Sequence, residues 1–154
     1  MKRNTELLMA ARWVQRAFGL ALREIGERYR LTRIEMSIVS FLQNNPGRDT
    51  ASDITELRGF SKAAVSQGID RLCRRSLLER RPDGADRRVV HLRLTEEAGP
   101  VRAEIAAARG DFLARCFAGF SEDEIDRFLS DTDRILANLR LGGPEGGADG
   151  DDGG

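Results

Sequence analysis

Between Leu77 and Thr95 the chain abandons the three-and-four spacing of apolar residues that governs it elsewhere. Leu77–Arg81 and Arg87–Thr95 read as two short strands; in the second, Val90, Leu92 and Leu94 fall on one face and Val89, His91 and Arg93 on the other. A period of two is the signature of a pleated strand. Pro82-Asp-Gly-Ala-Asp86 lies between them and is rich in turn-forming residues, so the two strands are expected to form a hairpin. A single hairpin in a chain of helical patterns restricts the fold to a small set.

The helical patterns flank it on both sides. From Thr5 to Tyr29, residues Leu7, Leu8, Ala11, Val14, Phe18, Ala21, Leu22, Ile25 and Tyr29 form one long apolar stripe. Thr32-Arg-Ile-Glu35 has the form of a capping box, in which hydroxyl and carboxylate satisfy free N–H groups at a helix start. That helix ends at Asn44-Asn-Pro-Gly47. Thr50-Ala-Ser-Asp53 opens a short helix that Arg58-Gly59-Phe60 breaks, and Ser61 caps the next, which runs to about Arg75. After the hairpin, Thr95 is placed to cap a helix carrying Val101, Ile105, Ala108, Phe112, Leu113, Cys116 and Phe117. Ser121-Glu-Asp-Glu124 is a second capping box, ahead of a helix with Ile125, Phe128, Leu129, Thr132, Ile135, Leu136 and Leu139. Gly142–Gly154 has no apolar pattern and reads as a disordered acidic tail.

Four helices, a hairpin and two helices predict a mostly α fold with a small β-hairpin wing: a winged helix-turn-helix core with long terminal helices. The expected divisions are 1–30 for the N-terminal helix, 31–95 for the winged core, 96–141 for the C-terminal helices and 142–154 for the tail. The terminal stripes carry more apolar surface than so small a core can cover, which predicts a homodimer interface built from them.

Charge is distributed to match. The formal net charge is zero, yet residues 58–93 hold ten basic and four acidic side chains, whereas residues 121–154 hold three basic and ten acidic. Such an asymmetry points to a polyanion-binding middle and a solubilising end. Within the helix that starts at Ser61, Val65, Ile69 and Leu72 face the core, and Gly68 allows a close approach to the preceding helix. The opposite face is short and polar: Lys62, Ala63, Ser66, Gln67 and Asp70. A helix that enters a major groove needs such a face. Gln67 can pair bidentately with adenine, Lys62 can reach guanine, Ser66 can donate or accept, and Ala63 can meet a thymine methyl. Ser61, Arg71, Arg74 and Arg75 are placed for phosphates. On the hairpin, Arg87 and Arg88 suit a flanking minor groove, and Asp86, two residues before Arg88, can hold that guanidinium in one pose.

The stretch from Leu31 to Gly99 resembles the MarR family of winged-helix transcription regulators. The resemblance rests on LTRIEMSIVSFL (31–42), TASDI (50–54), FSKAAVSQGIDRLCRRSLLERR (60–81) and DRRVVHLRLTEEAG (86–99). Its most specific part is Asp86, Arg88, Leu94 and Thr95. The resemblance implies a homodimer on a pseudo-palindromic site in double-stranded DNA, with recognition helices in successive major grooves and wings in minor grooves. It implies a repressor of its own or a neighbouring gene, relieved by a small aromatic or lipophilic effector or by thiol oxidation. Trp13, Phe18 and Phe112 would border the family's ligand pocket. The chain departs from the family at Ser76, where members often end the recognition helix with Gly, so that end is expected to differ in shape. Redox-sensing members place a reactive cysteine in the first helix, and this chain has none there.

Other functions leave weaker marks. No Gly-rich loop follows a strand, and the single histidine, His91, lacks an oriented partner in the sequence, so neither a cofactor nor an enzyme is implied. Cys73 and Cys116 lie too far apart for a metal framework and fall at apolar positions, which reads as two buried, reduced thiols. No apolar run reaches the ~20 residues of a membrane span, and the absence of a secretory signal points to a cytoplasmic protein. A competing reading makes the chain a winged-helix module that binds an acidic protein. The small-residue face at Ala63 and Ser66 favours DNA.

Overall fold

The computed structural model describes residues 2–141, so the expected tail at 142–154 lies outside the described residues. The order is α1 (Lys2–Tyr29), α2 (Arg33–Asn44), α3 (Ala51–Arg58), α4 (Lys62–Arg74), β1 (Leu78–Pro82), β2 (Val90–Leu94), a single 3₁₀ turn (Glu96–Ala98), α5 (Gly99–Cys116) and α6 (Glu122–Leu141). The mostly helical winged architecture read from the periodicities is the one observed.

Three caps expected from sequence are formed. Thr32 Oγ1 accepts from the Glu35 N–H while Glu35 accepts from the Thr32 N–H at 2.6 Å. Thr50 and Asp53 repeat the arrangement at α3. Ser61 Oγ accepts from the Ala64 N–H at 3.2 Å to start α4. Each such cap contributes about 1 kcal/mol. Thr95 does not cap a helix. Its hydroxyl donates to the Ser76 carbonyl at 2.5 Å, and a 3₁₀ turn precedes α5 instead.

The chain divides into two compact units, Met1–Phe112 and the residues from Leu113 onward. In the first, α2 packs on α4, and α4 on α3 and β1. Ile38, Val39, Phe41, Ile54, Val65, Leu72, Val101 and Ile105 are fully buried at its centre. Gly68 sits where α4 crosses α2. A Cβ there would lie 2.7 Å from the Ile38 Cδ1, so the Ile38 side chain would have to move to admit one; the close approach is thus to α2, not to the preceding helix α3 as expected. The hairpin is antiparallel, with Leu78 opposite Leu94 and Arg81 opposite His91. Its strands are shorter than the alternation suggested, because Asp83–Val89 forms a longer loop that includes Arg87 and Arg88. Of the apolar face of β2, only Leu92 is buried, and Val90 is exposed. The Leu92 N–H points away from β1 and donates to the Asp49 carbonyl at 2.7 Å, which ties β2 to the loop before α3.

In the second unit, Ser121 and Glu124 form the expected capping box. The Phe117 ring meets those of Phe120 and Phe128 edge-on at 5.8 and 5.6 Å. Apolar residues remain uncovered on both terminal helices. Leu7, Leu8, Trp13, Val14 and Leu20 on α1 are exposed, and so are Phe128, Leu129, Ile135, Leu136 and Leu139 on α6. The expectation of two buried thiols is corrected: Cys73 is half-buried and Cys116 is exposed. The burial of α5 ends at Phe112, so Cys116, one turn further on, has left the core.

Candidate nucleic-acid interface

The face of α4 away from the core presents Lys62, Ala63, Ser66, Gln67 and Asp70, all exposed, while Val65, Gly68, Ile69 and Leu72 are buried. The i, i+4, i+7 spacing of the buried set fixes this division. At the N-terminal end of the exposed face Ala63 and Ser66 are small and Lys62 and Gln67 are long but unbranched and flexible, so no rigid bulk stands on this face.

The arginines near the end of α4 take different positions. Arg71 turns inward, and its Nε donates to Glu35 Oε1 at 2.9 Å. Burial works against the Glu35 charge, but hydrogen bonds from Thr32 and Arg71 outweigh it and hold the carboxyl below its ordinary range. Arg75 reaches back to α1, donating to the Tyr29 and Arg30 carbonyls at 2.8 and 2.9 Å. These are carbonyls that the helix leaves without an internal partner, and a cation there also suits the helix dipole. Arg74 is exposed and makes no side-chain hydrogen bond among the described residues.

The end of α4 keeps the left-handed form despite the missing glycine. Ser76 has φ 58°, the Leu77 N–H donates to the Leu72 carbonyl at 3.0 Å, and the Ser76 N–H donates to the Cys73 carbonyl at 2.9 Å. This is the paired closure of a Schellman motif. The expectation of a different shape is therefore corrected. The two backbone bonds, with the Thr95 hydroxyl on the Ser76 carbonyl, hold serine where glycine would sit more easily.

The wing is joined to α4 by Arg80, which donates to Asp70 at 2.5 Å. In the loop, Asp83 accepts from the N–H groups of Ala85 and Asp86, each at 2.8 Å. Asp86 then holds Arg88 by three bonds: from its backbone N–H at 3.0 Å, from Nε at 3.2 Å and from Nη2 at 3.3 Å. The Arg88 side chain accepts this fixed pose while remaining 90% exposed. Its guanidinium, and after it its N–H, keeps the Asp86 carboxyl below the usual range. Arg87 is exposed beside it.

Two contacts in this region leave no trace in sequence. Arg80 was one basic residue among ten, and its partner Asp70 is set by how β1 crosses α4. His91 has an oriented environment after all. Its Nδ1 lies 2.7 Å from Asp49 and its Nε2 lies 3.0 Å from Asp83. The alternation placed it on the correct face of β2, but Asp49 is 42 residues away and invisible to a local pattern.

The aromatic residues expected near a ligand pocket separate. Phe18 and Phe112 meet with ring centroids 5.4 Å apart. Trp13 is exposed, with the Arg16 guanidinium 6.0 Å above its ring. A cavity of about 780 Å³ opens between α1, α2 and α3, lined by Phe18, Leu22, Met36, Arg58 and Phe60 among others; Trp13 and Phe112 do not line it. Arg58 is half-buried there, with its guanidinium over the Phe41 ring at 5.6 Å, and burial pulls its pKa down from the ordinary arginine value.

The comparisons with known proteins agree with this geometry. The model of the MarR family matches residues 29–89, from the end of α1 to the tip of the wing. The transcriptional regulator AdcR of Streptococcus pyogenes is 31% identical over 133 residues, covering 82% of this chain and 86% of that one. The transcriptional repressor MdtR of Bacillus subtilis is 29% identical over 99 residues, covering 64% of this chain and 63% of that one. Among solved structures, a MarR-family regulator from Silicibacter pomeroyi superposes with a TM-score of 0.73 at 20% identity, over 86% of this chain and 88% of that one.

Proposed function

The chain belongs to the MarR family of winged helix-turn-helix transcription regulators, and on that premise we propose that it is a dimeric, sequence-specific repressor whose reading head is α4 and whose wing is the β1–β2 hairpin. Membership makes it a DNA-binding transcription regulator rather than an enzyme. In this reading Lys62, Ala63, Ser66 and Gln67 address base edges, while Ser61 and Arg74 address phosphates. Arg71 and Arg75 are engaged with Glu35 and the end of α1, which orients α4, and their remaining N–H groups are left to address phosphates. Arg87 and Arg88 enter the minor groove, where a guanidinium meets strong negative potential.

The observation that carries the reading is the pairing of a polar, small-residue face on α4 with an arginine that Asp86 orients in an exposed loop. A pre-set guanidinium loses less side-chain entropy on binding than a free one. The stripes left open on α1 and α6 support a second copy as their cover, which would give two reading heads and a pseudo-palindromic site. Residues 31–95 then bind DNA, and 1–30 with 96–141 dimerise. The repressor assignment is supported by the name of the Bacillus subtilis relative. The cavity bounded by Phe18, Met36, Phe60 and Arg58 suits a small aromatic or lipophilic effector, bound close to α2 and so close to the helix against which α4 packs.

The test is affinity for duplex DNA across a salt series. The reading expects a steep fall in log affinity with log salt, as released counterions require. It also expects Arg88→Glu to weaken binding at every salt concentration. A purified dimer without measurable duplex affinity, alone or with lipophilic and aromatic compounds, would favour an acidic protein as the partner of the basic surface.

A further inference from the structure

His91 stands between two carboxylates, with each ring nitrogen within hydrogen-bond distance of one of them. A neutral imidazole has one N–H and one bare lone pair. At 2.7 Å from Asp49 on one side and 3.0 Å from Asp83 on the other, a neutral ring would hydrogen-bond to one carboxylate and turn its lone pair toward the other. Only the imidazolium donates to both.

What the ring joins is as informative as its contacts. Asp49 belongs to the loop that leads into α3, within the helix-turn-helix. Asp83 opens the wing loop and, through the N–H groups of Ala85 and Asp86, sets the turn from which Asp86 grips Arg88. The series Asp49, His91, Asp83, Asp86, Arg88 therefore links the helix-turn-helix to the wing arginine by consecutive hydrogen bonds.

We propose that His91 is a proton-dependent positioning residue for the wing. Its imidazolium clasps the wing loop to the helix-turn-helix and presents Arg88 to DNA, and loss of its proton releases the loop and lowers DNA affinity. The proposal rests on the reading of the wing as a DNA-contacting element.

The surrounding charges agree on direction. Asp49 and Asp83 touch the ring. Arg48 is next to Asp49 in the same loop. Arg81 lies opposite His91 on β1, but its guanidinium is held by Glu79 at 2.8 Å, and Arg93 lies 3.9 Å from the same carboxylate. The hydrogen bonds to Asp49, then to Asp83, raise the His91 pKa above its ordinary value, against a smaller effect of burial. Asp83, held by the Asp86 N–H, His91 and the Ala85 N–H, falls to about 2. The clasp is thus fully formed below the ordinary histidine pKa of about 6.5 and is lost as pH rises through the raised value. An approaching phosphate backbone pushes in the same direction, so binding DNA takes up a proton when it starts from the neutral form.

His91 is the sole histidine of the chain, which makes the experiment clean. The first readout is the imidazole ¹⁵N and ¹H titration of the full-length protein without DNA. Both ring nitrogens should carry protons at pH 6.5, with a midpoint above 6.5 that Asp49→Asn lowers. The second is affinity for an A·T-rich 24-base-pair duplex between pH 6 and 9 at constant ionic strength. Wild type should lose affinity across the imidazole midpoint, by about tenfold for each pKa unit by which DNA raises that midpoint. His91→Gln should remove this dependence, and Asp49→Asn should move it to lower pH. An imidazole midpoint at or below 6.5, or the same pH slope in wild type and His91→Gln, would overturn the proposal. If no duplex binds at any pH, the DNA reading of the wing fails instead, and the DNA-free titration still decides whether the clasp exists.

Discussion

Replacing Ser76 by glycine should make the protein more stable. Ser76 occupies the left-handed region at φ 58°, where an L side chain crowds its own backbone; the cost is about 1–2 kcal/mol. Its side chain makes no hydrogen bond among the described residues to offset that cost. The bonds that close the helix end use backbone groups: the Leu77 N–H to Leu72, the Ser76 N–H to Cys73, and the Ser76 carbonyl receiving the Thr95 hydroxyl. Glycine keeps all three. Against the relief stands the greater freedom of glycine in the unfolded chain, about 0.4–1 kcal/mol. The net gain is about 1 kcal/mol, which for a chain of this length raises Tm by roughly 2–4 °C. Thermal unfolding of wild type, Ser76→Gly and Ser76→Ala at one protein concentration gives the answer, since dimerisation makes Tm depend on concentration. Ser76→Ala should stay close to wild type because it retains the Cβ. A Tm for Ser76→Gly at or below that of wild type would refute the claim that the backbone at this position is strained.

Arg88→Glu should weaken duplex binding by at least tenfold and flatten its salt dependence, read by fluorescence anisotropy. Gln67→Ala should change which sites are preferred, by about 1–3 kcal/mol at the base it reads, with little change in affinity for random duplex; an unchanged preferred site would remove Gln67 from base reading. Arg75→Ala should cost about 1 kcal/mol in chemical denaturation, because the Tyr29 and Arg30 carbonyls lose their charged donor. Ile135→Glu on the exposed stripe of α6 should shift the protein from dimer to monomer in light scattering, and an unchanged mass would mean that another face carries the interface.

Local rules carried the reading of this chain far. The caps at Thr32, Thr50 and Ser121 and the turn at Asn44–Gly47 are written within a few residues, and all are formed; the two-residue alternation located the hairpin but overran its strands, and Gly68 marked a close approach without saying that α2 rather than the preceding helix makes it. The Asp86–Arg88 pair was legible for the same reason, since its partners are two residues apart. Features set by tertiary crossing were not legible. Arg71 and Arg75 look like free surface charge in a helical wheel, yet the packing of α4 on α2 brings Arg71 to Glu35, and Arg75 reaches two carbonyls at the end of α1. Thr95 has the composition of a cap, but the Ser76 carbonyl reaches its hydroxyl first. Cys116 follows the apolar period of α5 past the point where the core ends.

The central claim is that α4 and the wing read a two-fold DNA site, and selection from a random duplex pool by the purified full-length protein tests it most directly. An enriched inverted repeat, with half-sites about one helical turn apart and A·T-rich flanks where the wings fall, is the predicted result. Duplexes recovered without any common sequence, or a single unrepeated half-site, would contradict it.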